Sequence, residues 1–139
     1  MKNITLKSLF YDILLVSTII FLFIIFNIVA VIYKISDIKL WGILLCVFLW
    51  CVLGGPLVIR YIYVKKVCNS CDKINAVIIE KSSSSFIRNG TYYKVRVKGT
   101  NTVFDTSTKY GITSLLTINE EVTICIDEKN NEAIIINIK

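Results

Sequence analysis

The sequence predicts a membrane protein of the α+β class: an N-terminal two-helix transmembrane hairpin followed by a small five-stranded OB-like or SH3-like β-barrel. Three observations carry the prediction. Residues 13–33 and 40–59 are apolar runs without a single charged side chain, only six residues (34–39) separate them, and from Ile74 onward the pattern changes to strand-like alternation. The resulting partition is a hairpin over residues 1–66, a linker over 67–73 and a soluble barrel domain over 74–139.

At ~1.5 Å rise per helical residue each run reaches roughly 30 Å, the thickness of a bilayer's hydrocarbon core. A pair of buried helices in a soluble chain would need amphipathic helices around it, and the remaining sequence reads as strand. A cleaved signal peptide fits the first run poorly. The run exceeds the roughly 7–15 residues of a signal's apolar stretch, and Val29-Ala30-Val31-Ile32-Tyr33 offers no small-x-small cleavage site. Tyr11 and Tyr33 bracket the first run and Trp41 and Tyr61 the second, as expected of rings resting at the headgroup level.

Asn27 is the one strongly polar side chain deep in the first run. An amide in hydrocarbon is costly unless paired, so Asn27 is expected to face the second helix or another subunit. A role in an ion or substrate path would call for further ionisable groups, and the runs contain none. Gly54-Gly55-Pro56 should kink or end the second helix, because proline removes a donor and crowds the preceding turn. Orientation follows from the basic residues. Lys2, Lys7, Arg60, Lys65 and Lys66 flank the hairpin on one side, against Lys34 and Lys39 in its loop, which predicts both termini and the barrel domain in the cytoplasm.

The net charge of +6 does not indicate a nucleic-acid partner. Residues 1–71 hold seven Lys/Arg against two acidic residues, whereas residues 72–139 hold nine against eight, so the excess lies beside the membrane, where it attracts anionic headgroups.

Five strands are expected, over residues 74–81, 91–98, 102–108, 121–127 and 132–138. In the second, Tyr93, Val95 and Val97 alternate with Lys94, Arg96 and Lys98, placing apolar groups on one face and three cations on the other. Those three cations are a candidate surface for an acidic partner or the anionic membrane face. The fourth strand points Val122, Ile124 and Ile126 inward and Thr123, Cys125 and Asp127 outward. Asn89-Gly90, Gly99-Thr100-Asn101 and Asn130-Asn131 supply turns. One or two helical turns around Ile112, Leu115 and Leu116 would complete an OB-like order, although an SH3-like barrel or a small open sandwich would read almost the same.

No catalytic constellation is legible. The chain contains no histidine, so the serines at 82–85 lack the usual activating base, and neither a metal site nor a cofactor site is expected. Cys68-Asn69-Ser70-Cys71 is a single C-x-x-C that supplies two of the four ligands structural zinc needs, with Cys125 a third only if the fold brings it close. Cys68 and Cys71 are therefore a candidate thiol pair, with packing, metal or subunit cross-linking, and redox activity as the readings. The odd count of five cysteines fits reduced thiols in a cytoplasmic setting, and an inverted topology would make a Cys68 to Cys71 disulfide plausible.

The Tyr93-x-Val95-x-Val97 strand and the later Val122-Thr123-Ile124-Cys125-Ile126-Asp127 strand, followed by a turn and Ala133-Ile134-Ile135-Ile136, resemble a widespread family of small bacterial membrane proteins of unknown function. In that family a β-barrel domain is attached to one or two spanning helices. The late strand there follows a glycine and runs into Tyr-Asp-Pro; here Asn119-Glu120 and Ile126-Asp127-Glu128 stand in those places. The resemblance implies a fold, a place in the bacterial inner membrane and a non-enzymatic membrane role, and transfers no site. The expected function is that of a tethered barrel that binds or regulates a protein partner or a second copy of itself. The alternatives are an immunity protein against a membrane-targeting bacterial toxin and an accessory subunit of a membrane enzyme or transporter.

Overall fold

A computed structural model describes residues 3–33, 41–84, 90–106 and 116–139. The expected hairpin loop at 34–39, Ser85, Asn89 and the helical turns around Ile112 and Leu115 lie outside the described residues. The chain divides into two units, Leu9–Ile62 and a second made of Met1–Ser8 with Tyr63–Lys139.

Two helices, α1 (Ile4–Ile32) and α2 (Trp41–Ser70), supply the first unit. Each is long and apolar enough to cross a membrane, and only 11% and 17% of their most apolar windows are buried. Within this unit Leu9, Ile20, Cys46 and Leu57 are buried, while Phe21, Leu22, Phe26, Leu45, Phe48 and their neighbours are exposed. The helices meet through small and polar groups: Trp50 Nε1 donates to Ser17 Oγ at 3.1 Å, and the Asn27 amide oxygen lies where a Cβ on Gly42 would be. Pro56 lies inside α2 and does not end it, so of the two expected outcomes the stop is not the one seen. The helix continues to Ser70, four residues into the segment expected as a linker. Gly54 and Gly55 lack the side chains that would resist local adjustment around a proline, and a Cβ on Gly55 would meet nothing within 4 Å.

The second unit contains β1 (Lys73–Ser84), β2 (Gly90–Val97), β3 (Val103–Asp105), β4 (Glu121–Asp127) and β5 (Glu132–Ile138). All pairings are antiparallel and the sheet order is β3-β2-β1-β4-β5. The expected barrel is not closed. β3 and β5 approach one another, but no ladder joins them, and β3 is three residues long, too short to supply a full seam. β1 is the strand shared by both halves of the sheet. Its first half pairs with β4 and its second half with β2 alone, and Ile79 is the extra residue of a bulge between Ile78 and Glu80.

Ala76, Ile78, Tyr93, Val95, Val122, Ile124, Ala133 and Ile135 form the core on one face, joined by Leu116 from the connection before β4. Tyr93 stays in this core because its hydroxyl finds the Leu116 backbone. Burial first, set against that hydrogen bond, pushes its pKa up. Thr106 closes the β2 edge by accepting from Tyr93 N–H at 2.9 Å and donating its own N–H to Tyr93 O at 3.0 Å.

One face assignment is corrected. Cys125 and Asp127 were expected to point outward, and both are buried. The second face of β4 and β5 is covered by the end of α2 and the start of α1: Cys71 is bonded to Cys125, Val67 O lies 3.8 Å from Cys125 Sγ, Tyr63 reaches Asp127, and Thr5 Oγ1 donates to Ile135 O at 2.5 Å. With both faces covered, β5 reads as an unbroken buried run from Ala133 to Ile136 instead of alternating. A second bulge, at Ile136, accompanies it.

Candidate functional site

The alternation of β2 places Lys94 and Arg96 on the exposed face, as the strand period requires, and Lys98, expected as the last residue of the strand, is exposed in the turn just beyond it. Cross-strand register then decides their partners. Lys94 stands between Glu80 on β1 and Asp105 on β3, and its Nζ lies 3.0 Å from Glu80 Oε2. Hydrogen bonding to Glu80 first, then the charges of Glu80 and Asp105, raise the Lys94 pKa. Lys98 Nζ lies 2.5 Å from Glu121 Oε1, and that hydrogen bond is the first cause of a lowered Glu121 pKa. The carboxylates are thus interleaved with the cations. Arg96 differs: it stands opposite Val77 and Val103, makes no ion pair among the described residues, and lines an open concavity with Lys98, Gly99, Thr100 and Asn101. Gly99 adopts φ 89°, a conformation that lets the turn bend back beside it.

Asn27 sits within the hairpin. Its Nδ2 donates to Phe23 O at 2.8 Å, one turn back, while its oxygen faces Gly42 of α2. Half of the amide is therefore satisfied by its own helix, and the close approach to α2 is possible because residue 42 has no side chain.

The structure does not join Cys68 to Cys71. Cys71 lies just beyond the last turn of α2, where the chain bends into β1, and is bonded to Cys125 with a Cα separation of 6.1 Å. Cys68 remains a free, half-buried thiol that accepts from Asn3 Nδ2 at 3.4 Å. The bend sets the choice: Lys73 pairs with Cys125 in the β1–β4 register, so the residue leading into β1 passes over the outer face of β4, whereas Cys68 is still helical. Among the described residues no three His, Cys, Asp or Glu side chains converge in a way that could hold a metal ion.

Sequence reasoning missed a second polar cluster. Tyr63 OH donates to the Asp127 carboxylate, 3.0 Å from Oδ1 and 2.8 Å from Oδ2; Asn130 Nδ2 donates to Oδ2 at 2.9 Å and Lys129 N–H to Oδ1 at 3.2 Å. Burial works to raise the Asp127 pKa, but the bonds from Tyr63, Asn130 and the turn backbone outweigh it and hold the carboxyl below its ordinary value. The same carboxylate organises the β4–β5 turn, which Asn131 completes at φ 54°. The available signal was the unbroken Ala133-Ile134-Ile135-Ile136 run, which marks a strand covered on both faces and therefore a covered Asp127 and Cys125. Compared with known proteins, the chain matches no family model, no curated protein and no solved structure.

Proposed function

We propose that this chain is a non-enzymatic anchor-and-binding protein of the bacterial cytoplasmic membrane, crossing the bilayer twice and presenting the sheet unit to a protein partner in the cytoplasm. The observation that carries the reading is the exposure of the two helices: their apolar side chains are uncovered by protein over most of their length, whereas the sheet unit has a core of its own. Lipid is the solvent that suits the first, and water the second. The five-to-two excess of basic residues on the terminal side supports the orientation.

The sheet is five antiparallel strands not closed into a barrel, with β1 shared between β2 and β4 and with β3 and β5 as its edges, and an OB-like or SH3-like relationship is the reading proposed for it. Its binding surface centres on Arg96, the cation of the β2 face without an ion pair among the described residues, and the partner it suits carries a carboxylate or phosphate that can take a guanidinium in two-pronged fashion.

Reporter fusions after Lys139 test the orientation. A fluorescent protein there should be bright and alkaline phosphatase inactive, with the chain retained in carbonate-washed membranes. A photo-crosslinking residue at Val103, beside Arg96, should capture a discrete partner that Arg96→Glu abolishes. Recovery of the chain in the soluble fraction, or crosslinking indifferent to Arg96, would refute the anchor and the binding surface respectively.

A further inference from the structure

The two bonded cysteines differ in access. Cys125 is fully buried under the end of α2, whereas Cys71 is half-exposed and lines an open concavity with Ser70, Asp72, Glu128 and Lys129. A reagent from solution therefore has access to residue 71 and not to residue 125. A cytoplasmic sheet unit, the placement on which this inference rests, would hold both as thiols for most of the time.

We propose that Cys71 is a site of reversible S-thiolation by low-molecular-weight disulfides, with Cys125 as the resolving thiol. The Cys71 thiolate attacks one sulfur of a disulfide R–S–S–R; the S–S bond breaks, Cys71 keeps one S–R group as a mixed disulfide, and R–S⁻ leaves and takes up the proton that Cys71 gave up. Cys125, deprotonated in its turn, attacks Cys71 Sγ, forms the Cys71–Cys125 bond and expels the second R–S⁻. Two protein thiols are oxidised, one small disulfide is reduced to two thiols, and no other oxidant is needed. The product ties the end of α2 to β4 two residues from Asp127. Charge around the entry selects the reagent. Asp72 and Glu128 outnumber Lys129, and the Asp127 carboxylate is already engaged by Tyr63 and Asn130, so a cationic disulfide is favoured over an anionic one.

The test uses the full-length chain in detergent micelles, reduced and then freed of reductant, with adducts mapped by peptide mass. Cystamine should convert the wild type to the Cys71–Cys125 disulfide without a stable adduct on Cys71, whatever Cys51 and Cys68 retain as free thiols. Cys125→Ser and Cys125→Ala should each stop at a cysteamine adduct on Cys71, and Cys71→Ser should thiolate Cys125 slower by about tenfold or more, because buried thiols react through opening alone. Oxidised glutathione should react more slowly than cystamine, with the gap closing as salt rises. Excess reduced glutathione should reopen the wild-type bond. An adduct that accumulates equally on Cys125 in Cys71→Ser overturns the assignment of Cys71 as the entry thiol, and a bond that withstands excess reduced glutathione makes it a permanent structural link. These outcomes are read on purified protein, so a reversed reporter topology would move the compartment without altering them.

Discussion

The hairpin and the sheet are built from the same kinds of side chain, and they treat them in opposite ways. Ile124 on β4 is 0% exposed and Phe26 on α1 is 70% exposed, although both are large apolar side chains. In the sheet, a two-residue period sends apolar groups to one face and the protein supplies the other wall. In the hairpin apolar groups surround each helix, and no arrangement of two helices can cover them all. Apolar sequence therefore specifies a need for cover, and only the period and the number of neighbouring elements say whether the protein itself meets it.

The largest effect should come from truncating the two kinds of residue in parallel. Ile124→Ala removes fully buried methyl and methylene groups and should destabilise the sheet unit by about 2–5 kcal/mol. Phe26→Ala should leave the sheet unit unchanged. Hydrogen exchange of the β4 amides in both variants provides the measurement, and equal losses would mean that the hairpin packs as a protein core.

A second comparison holds exposure roughly fixed and changes the solvent. Phe23 near the middle of the first run is 59% exposed and Val103 on β3 is 45% exposed. Lysine at position 103 faces water and should be tolerated, whereas Phe23→Lys should cost about 2.5–3.5 kcal/mol of insertion free energy. Glycosylation mapping of the inserted fraction reads the difference, and full insertion of Phe23→Lys would place that side chain away from lipid.

The two helices were legible from the length and unbroken apolarity of their runs, and the five strands and the inward set on β2 from a local period. β4 and β5 carry the bounds expected of them, Glu121–Asp127 and Glu132–Ile138, and the β2 pattern of Tyr93 and Val95 in, Lys94 and Arg96 out, is the one seen. What was not legible depends on pairing between distant segments. Cys125 alternates outward by period, and only the chain's return over β4 after α2 buries it beside Cys71. The cationic stripe on β2 was legible as a stripe, but its partners Glu80 and Glu121 lie on β1 and β4, so the local field could not be read from one strand. Closure was over-read, because strand count says nothing about the length of the seam, which β3 sets.

Tyr63→Phe should cost about 1–3 kcal/mol by leaving a buried carboxylate one donor short. The same cluster predicts a pH dependence. The folded pKa of Asp127 lies below its unfolded value of roughly 3.9, so its stabilisation is complete above that value and fades as pH falls through the folded one. The acid limb of a denaturation profile should flatten in Tyr63→Phe. An unaltered limb would assign acid sensitivity to other carboxylates.

A smaller effect is expected between the helices. Gly42→Ala drives a methyl into the Asn27 amide and should weaken helix association by about 1 kcal/mol, the scale of polar contacts in lipid. Asn27→Ala in the same chain should restore it. Förster transfer between labels on α1 and α2 follows the change, and failure of the second substitution to compensate would separate the two residues.

The smallest effect is expected at the exposed charge pairs, where the sheet resembles any solvated surface. Lys94 and Glu80 keep about half of their side chains in water, at 47% and 57% exposure, so Glu80→Gln should leave the denaturation midpoint within error at moderate salt. The signs still separate the pairs. A raised Lys94 pKa gives a contribution present below the unfolded lysine value and lost as pH climbs through the folded one, while a lowered Glu121 pKa gives one present above the unfolded carboxylate value and lost on acidification. Both should vanish in high salt, whereas the Tyr63–Asp127 contribution should persist because its carboxylate is out of water. Comparing the acid limbs of Glu121→Gln and Tyr63→Phe at low and high salt decides the ranking. Should Glu121→Gln shift the limb as far as Tyr63→Phe in high salt, the Lys98–Glu121 pair would count among the interactions that hold β2 and β4 in place, and the β2 face would be a structural element first and a binding surface second.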